Sequence, residues 1–179
     1  MQTWIALLRG INVGSRNKMP MTDLANTLQS AGCRSVRTYI QSGNVVFASN
    51  LRSNQSLTAK IGTAIETHFG FRPHVLLLSA ADFRSAVTNN PFPNVVSEPK
   101  TLHFFFLNAT PASPDLDGIS ELATTSERFQ LIDSVFYLHA PDGFGRSKLA
   151  AATERKLGVA TTARNYTTIH NLSAMLNAT

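Results

Sequence analysis

The first 78 residues contain a series of short hydrophobic patterns that limits the possible folds more than any other feature of the chain. Strands are predicted where the patterns are short and continuous or alternating, at residues 4–8, 35–40, 45–48 and 75–78. Helices are predicted where apolar residues recur every three or four positions, at residues 21–31 and 55–69. The order of elements is therefore βαββαβ, in which the helices pack on one four-stranded sheet.

The second half of the chain follows a similar plan with almost no repeated sequence. Further strands are predicted at residues 101–107, 129–132, 135–139 and 159–163. Further helices are predicted at residues 80–88, 116–123, 148–157 and, closing the chain, 168–176. We therefore predict an α+β fold of two tandem ferredoxin-like (βαββαβ) halves with mainly antiparallel sheets, forming one compact unit.

A run of proline and asparagine, NPFPN at residues 90–94, interrupts these patterns between the two halves. We predict an N-terminal ferredoxin-like half at 1–90, a connector at 91–99, and a C-terminal ferredoxin-like half with its closing helix at 100–179. A chain of 179 residues is long enough for one large domain or two small ones.

The composition excludes several classes of protein. At 43% hydrophobic residues the chain is too apolar for disorder, and its single cysteine, Cys33, rules out an internal disulfide or a cysteine-rich metal site. The histidines show no metal-ligand spacing, so no metal and no cofactor are predicted. The start lacks the pattern of a signal peptide and no stretch is apolar enough to span a bilayer, so we expect a cytoplasmic protein without a membrane partner.

The net charge of +5 is distributed unevenly. Residues 1–65 carry seven cations and one acid, residues 66–142 carry four cations and nine acids, and residues 143–179 carry five cations and one acid. Two basic ends around an acidic middle predict an electropositive surface, provided that the ends meet in space. The alternative is a basic protein without an anionic partner.

The first candidate site follows from the predicted topology. In a βαββαβ unit the first two strands run parallel, so the loop after the first and the hairpin after the second leave the sheet at the same end. These segments are rich in hydrogen-bond donors and contain no carboxylate. The predicted ligand-binding residues there are Arg9, Gly10, Asn12, Gly14, Arg16, Asn17, Lys18, Gln41, Ser42 and Asn44.

Two further basic segments supply the remaining predicted ligand-binding residues. They are Arg146, Ser147 and Lys148, and Arg164, Asn165 and Tyr166. Phosphate suits this chemistry, because glycines can expose backbone N–H groups, an arginine can donate hydrogen bonds to two oxygens, and helix N-termini favour anions. We predict that the three segments form one pocket. The alternative is a set of solvated cations, with Ser147 serving only as a helix cap.

Known catalytic motifs are not found in these segments. The spacing of Gly10 and Gly14 fits neither a P-loop nor a dinucleotide fingerprint. Ser42 does not lie in a nucleophile elbow, and no paired carboxylates occur in the basic segments. Of the five histidines, only His139 ends a strand beside a candidate loop. No catalytic residue is assigned, and whether the protein is an enzyme stays open.

The chain resembles a widespread bacterial family known as a domain of unknown function, DUF1697. The residues that carry the resemblance are 6–14 (ALLRGINVG), 38–47 (TYIQSGNVVF), 90–92 (NPF), 137–139 (YLH), 141–143 (PDG), 145–149 (GRSKL), and Thr162 with Arg164 and Asn165. The family often has glycine and lysine in place of Ser15 and Arg16, and usually tryptophan in place of Tyr166. The resemblance implies a compact α/β protein with internally related halves, and it brings no settled activity.

The sequence therefore favours a binding module for a nucleotide or another phosphorylated metabolite in an electropositive cleft lined by Gly, Arg and Asn. The first alternative is an enzyme acting on such a ligand. The second is single-stranded RNA or DNA binding, because Tyr39 and Arg37 share a strand face, as aromatics and cations do in RNA-binding sheets. The third is docking of the basic ends on an acidic protein partner. The oligomeric state is left open.

Overall fold

The structure is a computed structural model, and it describes residues 1–178. The chain divides into two compact units. Unit 1 comprises Met1–Ser85 together with the residues from Asn171 onward, and unit 2 comprises Ala86–His170. The connector predicted at 91–99 falls inside unit 2, and its role as a domain boundary stays a prediction.

Unit 1 contains one antiparallel sheet of four strands. In chain order its elements are β1 (Gln2–Arg9), α1 (Met21–Ser30), β2 (Arg34–Tyr39), β3 (Asn44–Ser49), α2 (Asn54–Phe69), β4 (His74–Ser79) and the first part of α3 (Ala80–Thr88). The strand order across the sheet is β2-β3-β1-β4, with β1 paired antiparallel to both β3 and β4. This is the ferredoxin-like arrangement, and it confirms the fold predicted for the first half.

Both faces of this sheet are buried. On one face Trp4, Ala6 and Leu8 join the core formed with α1 and α2. On the other face Ile5 and Leu7 are fully buried as well. This explains why β1 is a continuous apolar run in the sequence rather than an alternating one.

Unit 2 repeats the topology. Its elements are β5 (Leu102–Leu107), α4 (Leu116–Ser120), β6 (Arg128–Ile132), β7 (Val135–His139), α5 (Lys148–Leu157), β8 (Thr161–Asn165) and the first part of α6 (Tyr166–Asn177). The strand order is β6-β7-β5-β8, and all neighbours are antiparallel. The prediction of two tandem ferredoxin-like halves is therefore confirmed.

The end of unit 2 differs from the predicted bounds. The last strand was expected at 159–163 and lies at Thr161–Asn165, because Gly158 ends α5 in a left-handed conformation and two residues follow before the strand pairs. The closing helix begins at Tyr166, since the Asn165 side chain caps it by accepting the Thr168 N–H at 3.1 Å. Arg164 and Asn165 are thus strand residues.

The second sheet is also buried on both faces. Phe105 and Phe136 belong to the core that α5 covers, while Phe104 and Tyr137 are buried on the opposite face. The Tyr137 hydroxyl donates to the Ala86 carbonyl at 2.7 Å, so its polar end is satisfied. Among residues 1–178, no helix is both long and apolar enough to cross a membrane.

Candidate functional site

The loop after β1 and the hairpin after β2 meet at one end of the first sheet. The Leu8 N–H donates to the Gly43 carbonyl at 2.8 Å, and the Asn12 side chain donates to the Gln41 carbonyl at 2.9 Å. The topological expectation that these two segments share an edge is thereby confirmed. We call this surface, residues 9–18 and 40–44, the loop–hairpin edge.

Asparagine side chains hold the loop in shape. The Asn12 amide donates to the Met19 carbonyl at 2.8 Å, and its oxygen accepts the Met19 N–H at 2.7 Å. The Asn17 amide donates to the Gly10 carbonyl at 2.7 Å. Both asparagines have positive φ, 52° and 50°, which asparagine tolerates better than most residues. These amide groups act within the protein, whereas the sequence suggested them as donors to a ligand.

The hairpin is held in a similar way. The Asn44 side chain is fully buried and donates to the Tyr39 carbonyl at 3.1 Å and to the Ser42 hydroxyl at 2.9 Å. Gly43 has a φ of 78°, and a Cβ on it would lie 2.6 Å from Leu8 Cβ. Gly43 is itself buried, and packing against Leu8 requires a glycine at this position.

Ile40 departs from the predicted pattern. The sequence pattern predicts it as the last residue of the second strand, at residues 35–40. The strand ends at Tyr39, and Ile40 takes a φ of 47° and is 51% exposed. A β-branched residue with positive φ is a strained outlier. Its turned backbone begins the hairpin and sends the side chain outward, beside the candidate site.

Three polar side chains of the edge stay available to a ligand. Arg16, Lys18 and Gln41 are exposed, and their side chains make no hydrogen bond or ion pair within residues 1–178. A surface pocket of about 400 Å³ lies here, lined by Asn12, Lys18, Met19, Pro20 and Gln41. Arg9 is exposed at the end of β1, and Gly10 and Gly14 lie exposed in the loop.

The second and third basic segments meet at one edge of the second sheet. His103 is the β5 partner of Asn165 in β8, and its ring stacks on Phe144 with centroids 3.9 Å apart. Phe144 begins the turn that contains Arg146. The structure therefore brings the segments 143–148 and 164–166 to the end of the sheet where β7 and β8 terminate. We call this end the β7–β8 edge.

Most of the predicted ligand residues at the β7–β8 edge have roles inside the protein. Ser147 caps α5 by accepting the Ala150 N–H at 2.9 Å, and the Arg146 guanidinium donates to the Asp142 carbonyl. Arg164 donates to the Ala163 carbonyl at 2.9 Å, and burial lowers its pKa to about 10. The centroids of the Tyr166 and Phe104 rings lie 6.0 Å apart. Lys148 is exposed.

The loop–hairpin edge belongs to unit 1 and the β7–β8 edge to unit 2. The expectation that all three basic segments form one pocket stays a prediction. Within residues 1–178, no group of three or more His, Cys, Asp or Glu side chains is placed to hold a metal ion. Cys33 is buried, and burial raises the pKa of its thiol.

One pair of side chains at the β7–β8 edge was missed by sequence reasoning. Arg128 in β6 lies directly opposite His139 in β7. The signal was present, because the predicted two-residue turn at Asp133 and Ser134 fixes which residues of the hairpin face each other. Counting outward from that turn pairs Arg128 with His139.

The fold and the loop–hairpin edge define an α+β protein of two ferredoxin-like halves that carries a preformed basic loop. The chain belongs to the family described as "Protein of unknown function (DUF1697)", whose model matches residues 1–137. A similar solved structure is the conserved bacterial protein SP0830 from Streptococcus pneumoniae, at 26% identity and a TM-score of 0.74, with 99% of each chain covered. No curated protein matches the chain.

Proposed function

We propose that this protein binds a small phosphate-bearing ligand, a nucleotide or another phosphorylated metabolite, at the loop–hairpin edge. Arg16, Lys18 and Gln41 would contact the ligand, while Asn12 and Asn17 hold the loop that presents them. We further propose a cytoplasmic location, where a lone cysteine such as Cys33 is ordinarily kept reduced.

The observation that supports this proposal most strongly is the contrast between fixed and unpartnered groups in one loop. The Asn12 side chain donates to the Met19 and Gln41 carbonyls, and the Asn17 side chain donates to the Gly10 carbonyl. The side chains of the two cations between and after them, Arg16 and Lys18, have no hydrogen-bond or ion-pair partner among residues 1–178. A loop that is already ordered loses less conformational entropy when a ligand binds, so its contacts contribute more fully to affinity.

The charge of the edge suits phosphate better than a neutral ligand. The sequence has no acid between Arg9 and Asp23, so the cations have no competing carboxylate nearby in the chain. An arginine can donate two parallel hydrogen bonds to a phosphate, and a lysine adds a second charge. A pocket of about 400 Å³ lies within the size range of small-molecule sites.

Binding of RNA on an open sheet face receives less support than a small ligand. Recognition of this kind needs exposed aromatic residues on the sheet. The face that carries Arg37 and Tyr39 also carries the fully buried Asn44 and the buried Val46. The Arg37 guanidinium donates to the Met175 carbonyl at 2.7 Å, which further ties it to the protein.

The test is a thermal-shift screen of the full chain against inorganic phosphate, nucleotides, phosphosugars and short RNA, at low and moderate salt. A ligand that binds only the native state raises the melting temperature according to RT ln(1 + [L]/Kd). We expect one class of small phosphorylated compound to raise it. Arg16→Gln should weaken binding by about tenfold or more, the loss expected for one charge-assisted contact.

Arg52→Gln provides the matched control, because Arg52 is an exposed cation of the same basic half outside the edge. It should change the affinity less than about twofold, since it removes only a distant screened charge. Equal losses of affinity in the two variants would contradict a specific site. So would an increase in melting temperature that every polyanion produces and that disappears as salt is added. A shift from RNA alone would favour nucleic-acid binding instead.

A further inference from the structure

A second pocket, of about 300 Å³, lies in unit 2. We call it the Phe92 pocket, and the residues that matter to its chemistry are Phe92, Asn94, Ser126, Arg128 and His139. It differs from the loop–hairpin edge in combining basic groups with an aromatic and proline-rich wall. None of the predicted ligand-binding residues lines it.

The basic part of the pocket is built by strand pairing. Arg128 and His139 are direct partners in the antiparallel pair β6–β7, so their side chains stand next to each other on one face of the sheet. Neither side chain makes a hydrogen bond or ion pair with another of residues 1–178. An anion would stabilise two adjacent basic side chains that have no ion-pair partner among residues 1–178.

The apolar part of the pocket is held rigidly. Phe92 stands between Pro91 and Pro93, which restrict the backbone on both sides, and its N–H donates to the Asn90 side-chain oxygen at 3.0 Å. The Phe92 ring lies 6.5 Å from the His139 ring, centroid to centroid. A planar group of a ligand could pack against this wall while its anionic group reaches Arg128.

The pocket is also connected to the basic segment 143–148. The Ser126 hydroxyl donates to the Asp142 carboxylate, and the Asp142 carbonyl accepts from the Arg146 guanidinium. These contacts connect Asp142 to the pocket, and its carboxylate accepts the hydrogen bond from Ser126. Arg146 is therefore a positioning residue for the pocket wall rather than a group that touches the ligand.

We infer that the Phe92 pocket binds a small aryl anion, a carboxylate or phosphate group attached to a planar ring. Arg128 and His139 would hold the anionic group, and Phe92 would pack against the ring. Its volume lies at the lower end of the range for ligand sites, about 300–1,000 Å³, which favours a compact ligand over a dinucleotide or polymer. This inference does not depend on the function proposed for the loop–hairpin edge.

The test is an NMR titration of the isotope-labelled full chain with phenyl phosphate. We expect saturable shifts of the amides of Phe92, Ser126, Arg128 and His139. Arg128→Gln should weaken binding by about tenfold or more, because one charge-assisted contact is lost. Arg155→Gln removes the same charge from an exposed position on α5 and should change affinity less than about twofold.

A third variant separates this inference from the proposed function. Arg16→Gln should leave the shifts around Phe92 unchanged, even if it abolishes binding at the loop–hairpin edge. The inference is overturned if phenyl phosphate moves only the amides of residues 9–18, or if Arg128→Gln and Arg155→Gln weaken binding equally. Absence of shifts around Phe92 up to about 10 mM, which would detect even millimolar affinity, also overturns it.

Discussion

The two units share a strand order but concentrate their cations at opposite ends of their sheets. In unit 1 the unpartnered cations Arg16 and Lys18 lie where the chain leaves β1. In unit 2 the equivalent position is the loop after β5, beside the hairpin at Asp133. Arg128, Arg146, Lys148 and Arg164 lie instead at the end of the sheet where β7 and β8 terminate.

The equivalent edge of unit 2 is acidic. The loop after β5 ends in Asp115, which bonds the Lys156 ammonium at 2.6 Å and caps α4 through the Gly118 N–H at 2.8 Å. Asp133 occupies the hairpin with a φ of 51°. The topology therefore brings the same two connections together in both units, but only the side chains decide whether the edge suits an anion.

The largest expected effect concerns a pair of glycines, one at the loop–hairpin edge and one at the β7–β8 edge. Gly43→Ala forces a Cβ to within 2.6 Å of Leu8 Cβ at a φ of 78°. Overpacking and left-handed strain should together lower the free energy of unfolding by about 3–4 kcal/mol. Gly145→Ala should change it by less than about 0.5 kcal/mol, because the space around Gly145 is open.

Urea unfolding of both variants measures this difference. The midpoint should fall strongly for Gly43→Ala and stay near the wild-type value for Gly145→Ala. A mild effect of Gly43→Ala would mean that the hairpin can move away from β1, and the rigid loop–hairpin edge would then lose its support.

The next effect is a dependence of stability on pH that originates in unit 2. Burial lowers the pKa of His103 from 6.5 to about 4. Above pH 6.5 the imidazole is neutral in both states; below it, the unfolded chain binds a proton that the folded chain excludes. Unfolding free energy should therefore fall as pH drops from 6.5 towards 4, by up to about 3 kcal/mol at 1.36 kcal/mol per pKa unit.

His103→Phe separates this effect from the titration of carboxylates. Phenylalanine retains a ring that can stack on Phe144 but cannot bind a proton. The difference in stability between wild type and variant should shift in favour of the variant as the pH falls, as measured by urea unfolding at each pH. A constant difference would show that His103 does not titrate as its burial implies.

The smallest expected difference compares two asparagines with structural roles. Asn12→Ala removes hydrogen bonds to the Met19 and Gln41 carbonyls and from the Met19 N–H, and should cost about 2 kcal/mol. Asn165→Ala removes one helix cap, the bond from the Thr168 N–H, and should cost about 1 kcal/mol. Thermal unfolding measures both.

The consequences for binding should differ as well. Asn12→Ala should also weaken phosphate binding at the loop–hairpin edge, because the loop would no longer be ordered in advance. Asn165→Ala should leave that binding unchanged. If both variants lose stability as expected but Asn12→Ala binds phosphate as wild type does, the loop does not need its fixed shape for binding.

The sequence was sufficient to predict the order of helices and strands along the chain, because hydrophobic periodicity and helix-ending glycines are local signals. The helix bounds at Ala80–Thr88 and the cap at Ser79 follow from the same kind of signal, and the Ser79 hydroxyl accepts the Asp82 N–H at 3.1 Å. The placement of Ile40 could not be predicted this way. Its φ of 47° belongs to a hairpin that packs against β1, from which it is far apart in the chain, and a β-branched residue gives no local signal for such a turn.

The sequence predicted that the loop and the hairpin meet, but not which partners their side chains have. Topology alone showed that the loop after β1 meets the hairpin. It could not show that Asn12 and Asn44 use their amides to hold backbone carbonyls, because a side chain's partners depend on three-dimensional geometry. The same limit applies to Arg146, whose guanidinium bonds the Asp142 carbonyl.

The most direct test of the contrast between the loop–hairpin edge and the equivalent edge of unit 2 is an NMR titration of the labelled full chain with inorganic phosphate. The titration is carried out at low and at moderate salt. The account predicts saturable amide shifts at residues 10–18 and at Gln41 that persist at moderate salt. It predicts no such shifts at the equivalent edge of unit 2, around Asp115 and Asp133. Weak shifts spread over all basic residues, disappearing as salt is added, would contradict a built phosphate site.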